Sequence, residues 1–460
     1  MSTDVARDWD ETDALKALWD RSAYDKGFVT NPFAGDAEAG LGLLRTAAVL
    51  NRLGSPQNAY PIIHVAGSKG KSSTSAIAAA ILQAAGARVG LHTSPHLHDF
   101  RERFIVDGRM IDPEAFAALT QRVLAAAEGI ERGRREIGRA TAFEIATVMA
   151  LEHFRETGCS AAVIEVGMGG TLDATNVVEP AVSVITTLDF EHVAVLGPGM
   201  ADIAANKAGI IKAGRPAVSV RQPPAAETVI LAAAARAGTS VFLQDRDWRV
   251  DGAWRDFTAS GPWGSCGHLR SNLAGNHQMQ NAGAAIAALW AARDQLPAFR
   301  DAAIRTGLAA VQWAGRYERV ESPSGALIVL DGAHTPASAT ALAATVCAEK
   351  RTGPLVVIVG MFADKAPASF LAALIGGAAG SIEVIAVPAP SPRTTEPAAL
   401  AAAASVLGMR ASVAASVAEA LEIASARTGV DGLVLVTGSL SVVASARDAL
   451  DLDRIDSRTR

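Results

Sequence analysis

His64-Val65-Ala66-Gly67-Ser68-Lys69-Gly70-Lys71-Ser72-Ser73-Thr74 decides how this chain folds. The apolar run Pro61–Ala66 predicts a buried strand, the glycine-bearing segment a turn, and the Ala/Ile stretch behind Lys71 a helix. Strand, loop and helix in that order are the unit of a parallel α/β sheet. Glycines let backbone N–H groups close around phosphate oxygens, the helix N-terminus adds partial positive charge, and Lys71 reaches the outer phosphates of a nucleotide. Ser72 or Ser73 offers a hydroxyl to Mg2+. The full Walker spacing needs glycine where Val65 stands, so the match is to a shorter Gly-x-x-Gly-Lys-Ser. Similar turns occur in α/β folds that bind no phosphate; the Gly-Lys-Ser core behind a buried strand favours the phosphate loop. Lys69 reads equally as a second phosphate charge or as a solvated surface lysine.

Working outward, Ala161–Val166 and Ala181–Thr186 predict two more central strands, and Pro113–Glu128 and Ala142–Glu156 predict covering helices. Glu165 sits inside an apolar run followed by glycines, and a buried acid is costly unless it is paired or bound to metal. At the carboxyl end of a parallel strand it is a natural Mg2+ ligand; the alternative is a buried Glu paired to a base. Asp189, Glu191 and His192 end the next strand together, which favours a metal role for His192 over a purely structural one. Lys207 falls in a mostly apolar helix, where it snorkels to the surface, pairs, or loses its charge. A neutral amine can also take up CO2 as a carbamate and then bind metal as a carboxylate does.

The alternation of strands and helices extends along the chain. Trp248 to Arg270 predicts a small antiparallel excursion, and Gln278–Arg293 and Ala298–Val311 predict helices. A second strand series follows at Tyr317–Glu321, Ala326–Leu330, Pro354–Val359, Ile382–Val387 and Gly432–Thr437. The expected architecture is α/β, with an N-terminal P-loop-type, mainly parallel sheet flanked by helices over 1–310. A smaller C-terminal Rossmann-like α/β domain follows over 311–460.

Half of the 460 residues are hydrophobic and 19% are charged, which excludes disorder. The net charge of −5 is too mild for a nucleic-acid partner, so small-molecule partners are expected. Cys159, Cys266 and Cys347 are too few and too far apart for a disulfide framework, which points to the cytoplasm. Residues 1–19 lack the basic start and apolar stretch of a secretory signal, and no apolar window is long enough for a membrane span.

Together these elements resemble the folylpolyglutamate synthase/dihydrofolate synthase branch of the Mur ligase superfamily. The resemblance is carried by His64–Thr74, Thr93–Leu97 with Phe100, Glu102 and Arg103, Phe143-Glu144, Glu165–Asn176 and Lys207–Ile210. It continues through Gly275 to Ala282, Trp313 to Arg316, Asp331–His334 and Gly438–Leu440. It implies an ATP-dependent ligase that adds L-glutamate to a pteroate or folate carboxylate through an acyl phosphate. It also implies triphosphate contacts from Gly67, Ser68, Lys69, Gly70, Lys71, Ser72 and Ser73, and adenine and ribose contacts from Asn281, Arg316 and Asp331. Mg2+, as two ions, is implied at Ser94, Glu165 and His192 with Ser73 assisting, together with carbamylation of Lys207. Pteroate is implied at Phe143, Glu144, Leu172, Asp173 and Ala174. Lys71, His192, Lys207 and His334 are the implied catalytic groups, and a monomer the implied state.

Some positions depart from the pattern: Thr171 where the family usually has Arg, Glu191 for Asp, Thr335 for Asn, Ala314 for Pro, and Ser68-Lys69 for Thr-Asn. Losing an arginine removes a bidentate carboxylate partner, so the departure at Thr171 bears on substrate preference. Two rival readings are another Mur-type amide ligase with a different acid substrate and a P-loop nucleotide switch. A peptidoglycan-precursor ligase needs an extra N-terminal domain, for which the roughly 60 residues ahead of the loop are too few. A switch leaves Lys207, Thr93–Leu97, Arg316 and Asp331 without a purpose.

Overall fold

A computed structural model describes residues 9–22, 40–296, 299–322, 325–349, 353–376 and 382–452. Part of the N-terminal segment read for a signal, and Ala298 at the start of one expected helix, lie outside these. The chain divides into two compact units, the first holding most residues up to Val311 and the second running from Gln312. Ala253–Arg255 and Ser271–Met279 also belong to the second.

The first unit is built on an eight-stranded sheet: β1 (Ile62–Ala66), β2 (Val89–His92), β3 (Ile105–Val106), β4 (Arg109–Met110), β5 (Ala161–Glu165), β6 (Val182–Ile185), β7 (Ala217–Ser219) and β8 (Val241–Leu243). Their order is β4-β3-β2-β5-β1-β6-β7-β8. From β2 to β8 every neighbouring pair is parallel, while β3 and β4 add an antiparallel edge. β1, β5 and β6 are buried at every position, as near-continuous apolar runs require when helices cover both faces of a sheet. One face packs on helices Pro113–Gly133 and Ala142–Glu156 through Phe104, Phe116, Leu119, Met149 and Phe154. The other packs on Met200–Ala208 and Pro224–Arg236 through Ala204, Ala226 and Ile230.

Helix Ala142–Glu156 has the bounds the periodicity predicts, because Thr141 and Glu144 close a capping box at its start. The Pro113 helix runs on to Gly133, since its amphipathic face continues over the core. The expected excursion is a three-stranded sheet of β9 (Arg249–Ala253), β10 (Asp256–Gly261) and β11 (Gly264–Leu269), with β10 and β11 antiparallel.

The second unit carries a six-stranded sheet of β12 (Glu318–Glu321), β13 (Leu327–Leu330), β14 (Leu355–Val359), β15 (Ile382–Ala386), β16 (Arg410–Val413) and β17 (Leu433–Thr437), in the order β12-β13-β17-β14-β15-β16. Only the β12–β13 pair is antiparallel. The chain is thus α/β, with a large parallel-rich sheet and a smaller C-terminal α/β unit.

Candidate active site

Three adjacent strands, β5, β1 and β6, release their carboxyl-terminal loops side by side, which is where open α/β sheets bind ligands. The β1 loop leads into helix Lys71–Ala84 with Gly70 as N-cap at φ +88. A Cβ at Gly70 would also lie 2.4 Å from Oδ1 of buried Asn281, so glycine is required twice over. Ser68 and Lys69 both direct their amides at the Thr187 carbonyl, at 2.9 and 3.0 Å, which lashes the loop to the end of β6.

Lys71 Nζ donates to the Gly67 carbonyl at 3.0 Å, and Lys207 Nζ donates to the same oxygen at 2.9 Å. Lys207 is 1% exposed and lies in the last turn of helix Met200–Ala208. Rather than snorkelling it pairs inward, with Glu191 Oε1 at 3.0 Å. Burial, and next the charge of Lys71, bring its amine down to about 8 against the opposing pull of Glu191. Burial resists ionisation of Glu191, but the charges of Lys71, Lys207 and Lys69 outweigh it and hold the carboxyl below its ordinary value. Lys69 stands 3.7 Å from the other Glu191 oxygen.

Glu165, the last residue of β5, is buried. It accepts from Ser72 Oγ at 2.9 Å and from the Ser94 amide at 3.3 Å. Of the two candidate hydroxyls it is therefore Ser72 that meets the acid; Ser73, named as the assisting metal ligand, is buried in the helix one position on. Ser94 is presented by a loop stapled from within, because buried Glu102 accepts the amides of Leu97, His98 and Asp99 at 2.6, 2.8 and 2.9 Å. His192 lies exposed at φ +50, opening the short helix Val193–Leu196. Among the described residues no three His, Cys, Asp or Glu side chains gather as a metal cluster. The oxygen donors at Glu165, Ser72 and Ser94 suit a hard cation such as Mg2+.

The residues read as pteroate contacts divide. The ring of Phe143 lies against Gly167, and Leu172 is half-buried. Glu144 is engaged by Arg45 in a two-pronged pair at 2.7 and 2.8 Å. Asp173 is buried and holds its own loop, accepting from Met168 N at 2.9 Å, Thr175 N at 3.0 Å and Thr175 Oγ1 at 2.5 Å. Burial raises its carboxyl above the usual value, with those hydrogen bonds opposing. Ala174 is buried behind it. Both carboxylates thus do structural work. Thr171 turns its hydroxyl onto the Asn206 carbonyl at 2.8 Å, clipping this loop to the helix that carries Lys207.

In the second unit, Asp331 accepts from Tyr317 N at 2.8 Å and Ala333 N at 2.9 Å. Burial raises its carboxyl and the Arg316 guanidinium opposes that rise. His334 sets its Nδ1 2.9 Å from the Gly332 carbonyl. Burial, with Arg316, holds His277 down to about 4.

Two family descriptions match the chain: the Mur ligase middle domain over residues 65–289 and the Mur ligase glutamate ligase domain over residues 315–440. The dihydrofolate synthase/folylpolyglutamate synthase of Mycobacterium tuberculosis is 37% identical over 351 residues, 72% of either chain. The chain belongs to the folylpolyglutamate synthase/dihydrofolate synthase family of Mur ligases. A folylpolyglutamate synthase of Lacticaseibacillus casei is also 37% identical, over 70% of this chain and 76% of its own. The Mycobacterium tuberculosis folylpolyglutamate synthase complexed with ADP superimposes with a TM-score of 0.84 at 32% identity, over 96% of this chain and all of that one. An Escherichia coli FolC complex with DHPP and ADP follows at 0.82 and 29%, covering 96% and 98%. As a member of this family the protein is an ATP-dependent ligase.

Sequence reasoning missed Arg45 as the partner of Glu144. The two are 99 residues apart and share no local pattern. Asp173 as a loop cap was legible in principle, since Asp-x-Thr is a turn-forming spacing.

Proposed function

We propose that this protein joins the amine of L-glutamate to the carboxylate of a reduced pteroate or folate. The observation that carries the reading is the meeting of Lys71, Lys207 and Glu191 around the Gly67 carbonyl, next to the strand that ends in Glu165. A free carboxylate does not acylate an amine, because oxide is the leaving group. An oxygen of the acid attacks the γ-phosphorus of ATP, ADP departs, and an acyl phosphate remains for the glutamate amine to displace as phosphate. Lys71, with the loop of Gly67, Ser68, Lys69, Gly70, Ser72 and Ser73, cradles the triphosphate and meets its developing charge.

Ser72, Ser94 and Glu165, with His192 and with Ser73 more remotely, are the residues to hold Mg2+. When bound, the ion neutralises charge on the transferred phosphoryl group. Lys207 is assigned as a carbamate that takes part in a second ion site. Its support is the crowding of two amines on one carbonyl and an amine brought down to about 8, which leaves a reactive neutral fraction. Asn281, Arg316 and Asp331 for adenine and ribose, and His334 for catalysis, rest on the family resemblance. So do a monomeric state and a cytoplasmic site of action. Among the described residues no helix is long and apolar enough to cross a membrane. Phe143, Glu144, Leu172, Asp173 and Ala174 are the proposed pteroate contacts on the same resemblance, with Glu144 and Asp173 held in place by Arg45 and Thr175.

One observation favours a second reading, a different acid as substrate: Thr171 faces Asn206 and supplies no cation where the family usually has arginine. Phosphate release with Mg-ATP and L-glutamate, compared across dihydropteroate, tetrahydrofolate and no acceptor, tests the proposal. A product heavier by one glutamate is the expected result. Phosphate release stimulated by neither acceptor overturns the folate assignment.

A further inference from the structure

Behind β6 the chain runs Thr187-Leu188-Asp189-Phe190-Glu191, and both neighbours of Phe190 are tied to the phosphate loop. Ser68 Oγ donates to the Asp189 carbonyl at 3.0 Å. Glu191 is held by Lys207 at 3.0 Å and Lys69 at 3.7 Å. The Phe190 amide is itself secured by Asp189 Oδ1 at 2.8 Å. The backbone at Phe190 is therefore pinned beside the triphosphate loop, yet its side chain is 59% exposed, and Val193, three residues on, is 47% exposed. An aromatic side chain on a pinned backbone, left largely in water, offers its face or edge to another flat apolar group.

We propose that Phe190 is the platform for the aminobenzoyl ring of the acceptor, and that it favours acceptors whose reacting carboxylate is bonded directly to that ring. The inference rests on the ligase reading above. The attacking carboxylate oxygen must come within about 3–3.5 Å of the γ-phosphorus. That phosphorus is held by the loop whose Ser68 and Lys69 touch the neighbours of Phe190. In a pteroate the carboxylate is a ring substituent, so the ring is forced to lie beside the loop and meets Phe190. In an already glutamylated folate a glutamyl chain separates the ring from the reacting carboxylate, which carries the ring away from this position. The phosphoryl step is the same for both: the carboxylate oxygen bonds to phosphorus, and the bond from phosphorus to the bridging oxygen breaks to release ADP. Phe190 acts only on which acid is presented.

The test compares kcat/KM for dihydropteroate with kcat/KM for tetrahydrofolate in the full-length protein, its Phe190→Ala variant and its Phe190→Leu variant. Phe190→Ala is expected to lower the ratio of dihydropteroate to tetrahydrofolate about tenfold, mainly through KM, with Phe190→Leu in between. A surface position this exposed can lose its ring without unfolding the chain, and an unchanged melting temperature checks that. A ratio that stays constant, whether both activities fall together or neither moves, overturns the proposal. A wild-type protein that glutamylates neither acceptor removes the ligase reading, and this inference with it.

Discussion

Lys71 and Lys207 place their amines on a single acceptor, the Gly67 carbonyl, at 3.0 and 2.9 Å. Two ammonium groups at that spacing repel, and in a buried setting the repulsion is weakly screened. Conversion of Lys207 to a carbamate reverses its sign: the repulsion from Lys71 becomes attraction, and the ion pair with Glu191 becomes a like-charge contact that a bound cation would offset.

Lys207→Ala is therefore expected to lose ligase activity by at least about a hundredfold, and to recover part of it in millimolar short carboxylic acids that occupy the vacated space. In the wild type at limiting bicarbonate, activity should rise with pH through about 8, because the neutral amine that takes up CO2 grows as the proton leaves. Full activity in the alanine variant, or a flat response to bicarbonate, speaks against the carbamate.

The two serines behind Lys71 separate by their partners. Ser72→Ala deletes the hydroxyl that meets Glu165 at 2.9 Å and should raise the Mg2+ concentration for half-maximal activity by about tenfold or more. Ser73→Ala should shift it much less. A Mg2+ titration of both variants decides between them, and equal shifts would contradict the assignment of Ser72.

Gly70→Ala forces an L-residue to φ +88 and drives its Cβ to 2.4 Å from Asn281 Oδ1. The left-handed backbone alone costs about 1–2 kcal/mol. Loss of measurable nucleotide binding by calorimetry, with a modest drop in melting temperature, is the expected outcome.

Acid should destabilise the first unit through its buried histidines. Burial holds His64 to about 3 and His92 to about 4, so both stay neutral in the fold while the unfolded chain takes up protons below its ordinary value near 6.5. Stability from this source is complete above about pH 6.5 and is lost as pH falls toward 4. Each histidine contributes a slope of up to about 1.4 kcal/mol per pH unit. Denaturant melts at pH 7, 5.5 and 4.5 measure it; a midpoint independent of pH in that window would refute it.

Legibility followed locality. β1, β5 and β6 were visible as uninterrupted apolar runs because parallel central strands are buried on both faces. The capping box at Thr141 set the bounds of its helix in the same local way. The short strands β2, β7, β8 and β16 carry three or four residues each, too few for periodicity to tell them from loops. At the site, Glu165 and Lys207 stood out because a charge inside an apolar stretch demands a partner. The identity of each partner did not: Ser72 and Ser73 are one residue apart, and successive helix positions point about 100° apart, so only the helix register selects between them. The resemblance implies Glu144 and Asp173 as substrate contacts, and it is silent on the Arg45 guanidinium that orients Glu144 from 99 residues away.

The sequence by itself determined the strand–loop–helix unit at His64–Thr74, the α/β class and the kinds of side chain that phosphoryl transfer to a carboxylate requires. Backbone conformation and hydrophobic period are local properties, and they can be read without knowing what lies opposite. The tertiary structure decided which groups meet. Parallel pairing of β5, β1 and β6 brings residues from positions 67, 165, 191 and 207 to one end of the sheet, and pairing across such separations is set by long-range packing that no local pattern encodes.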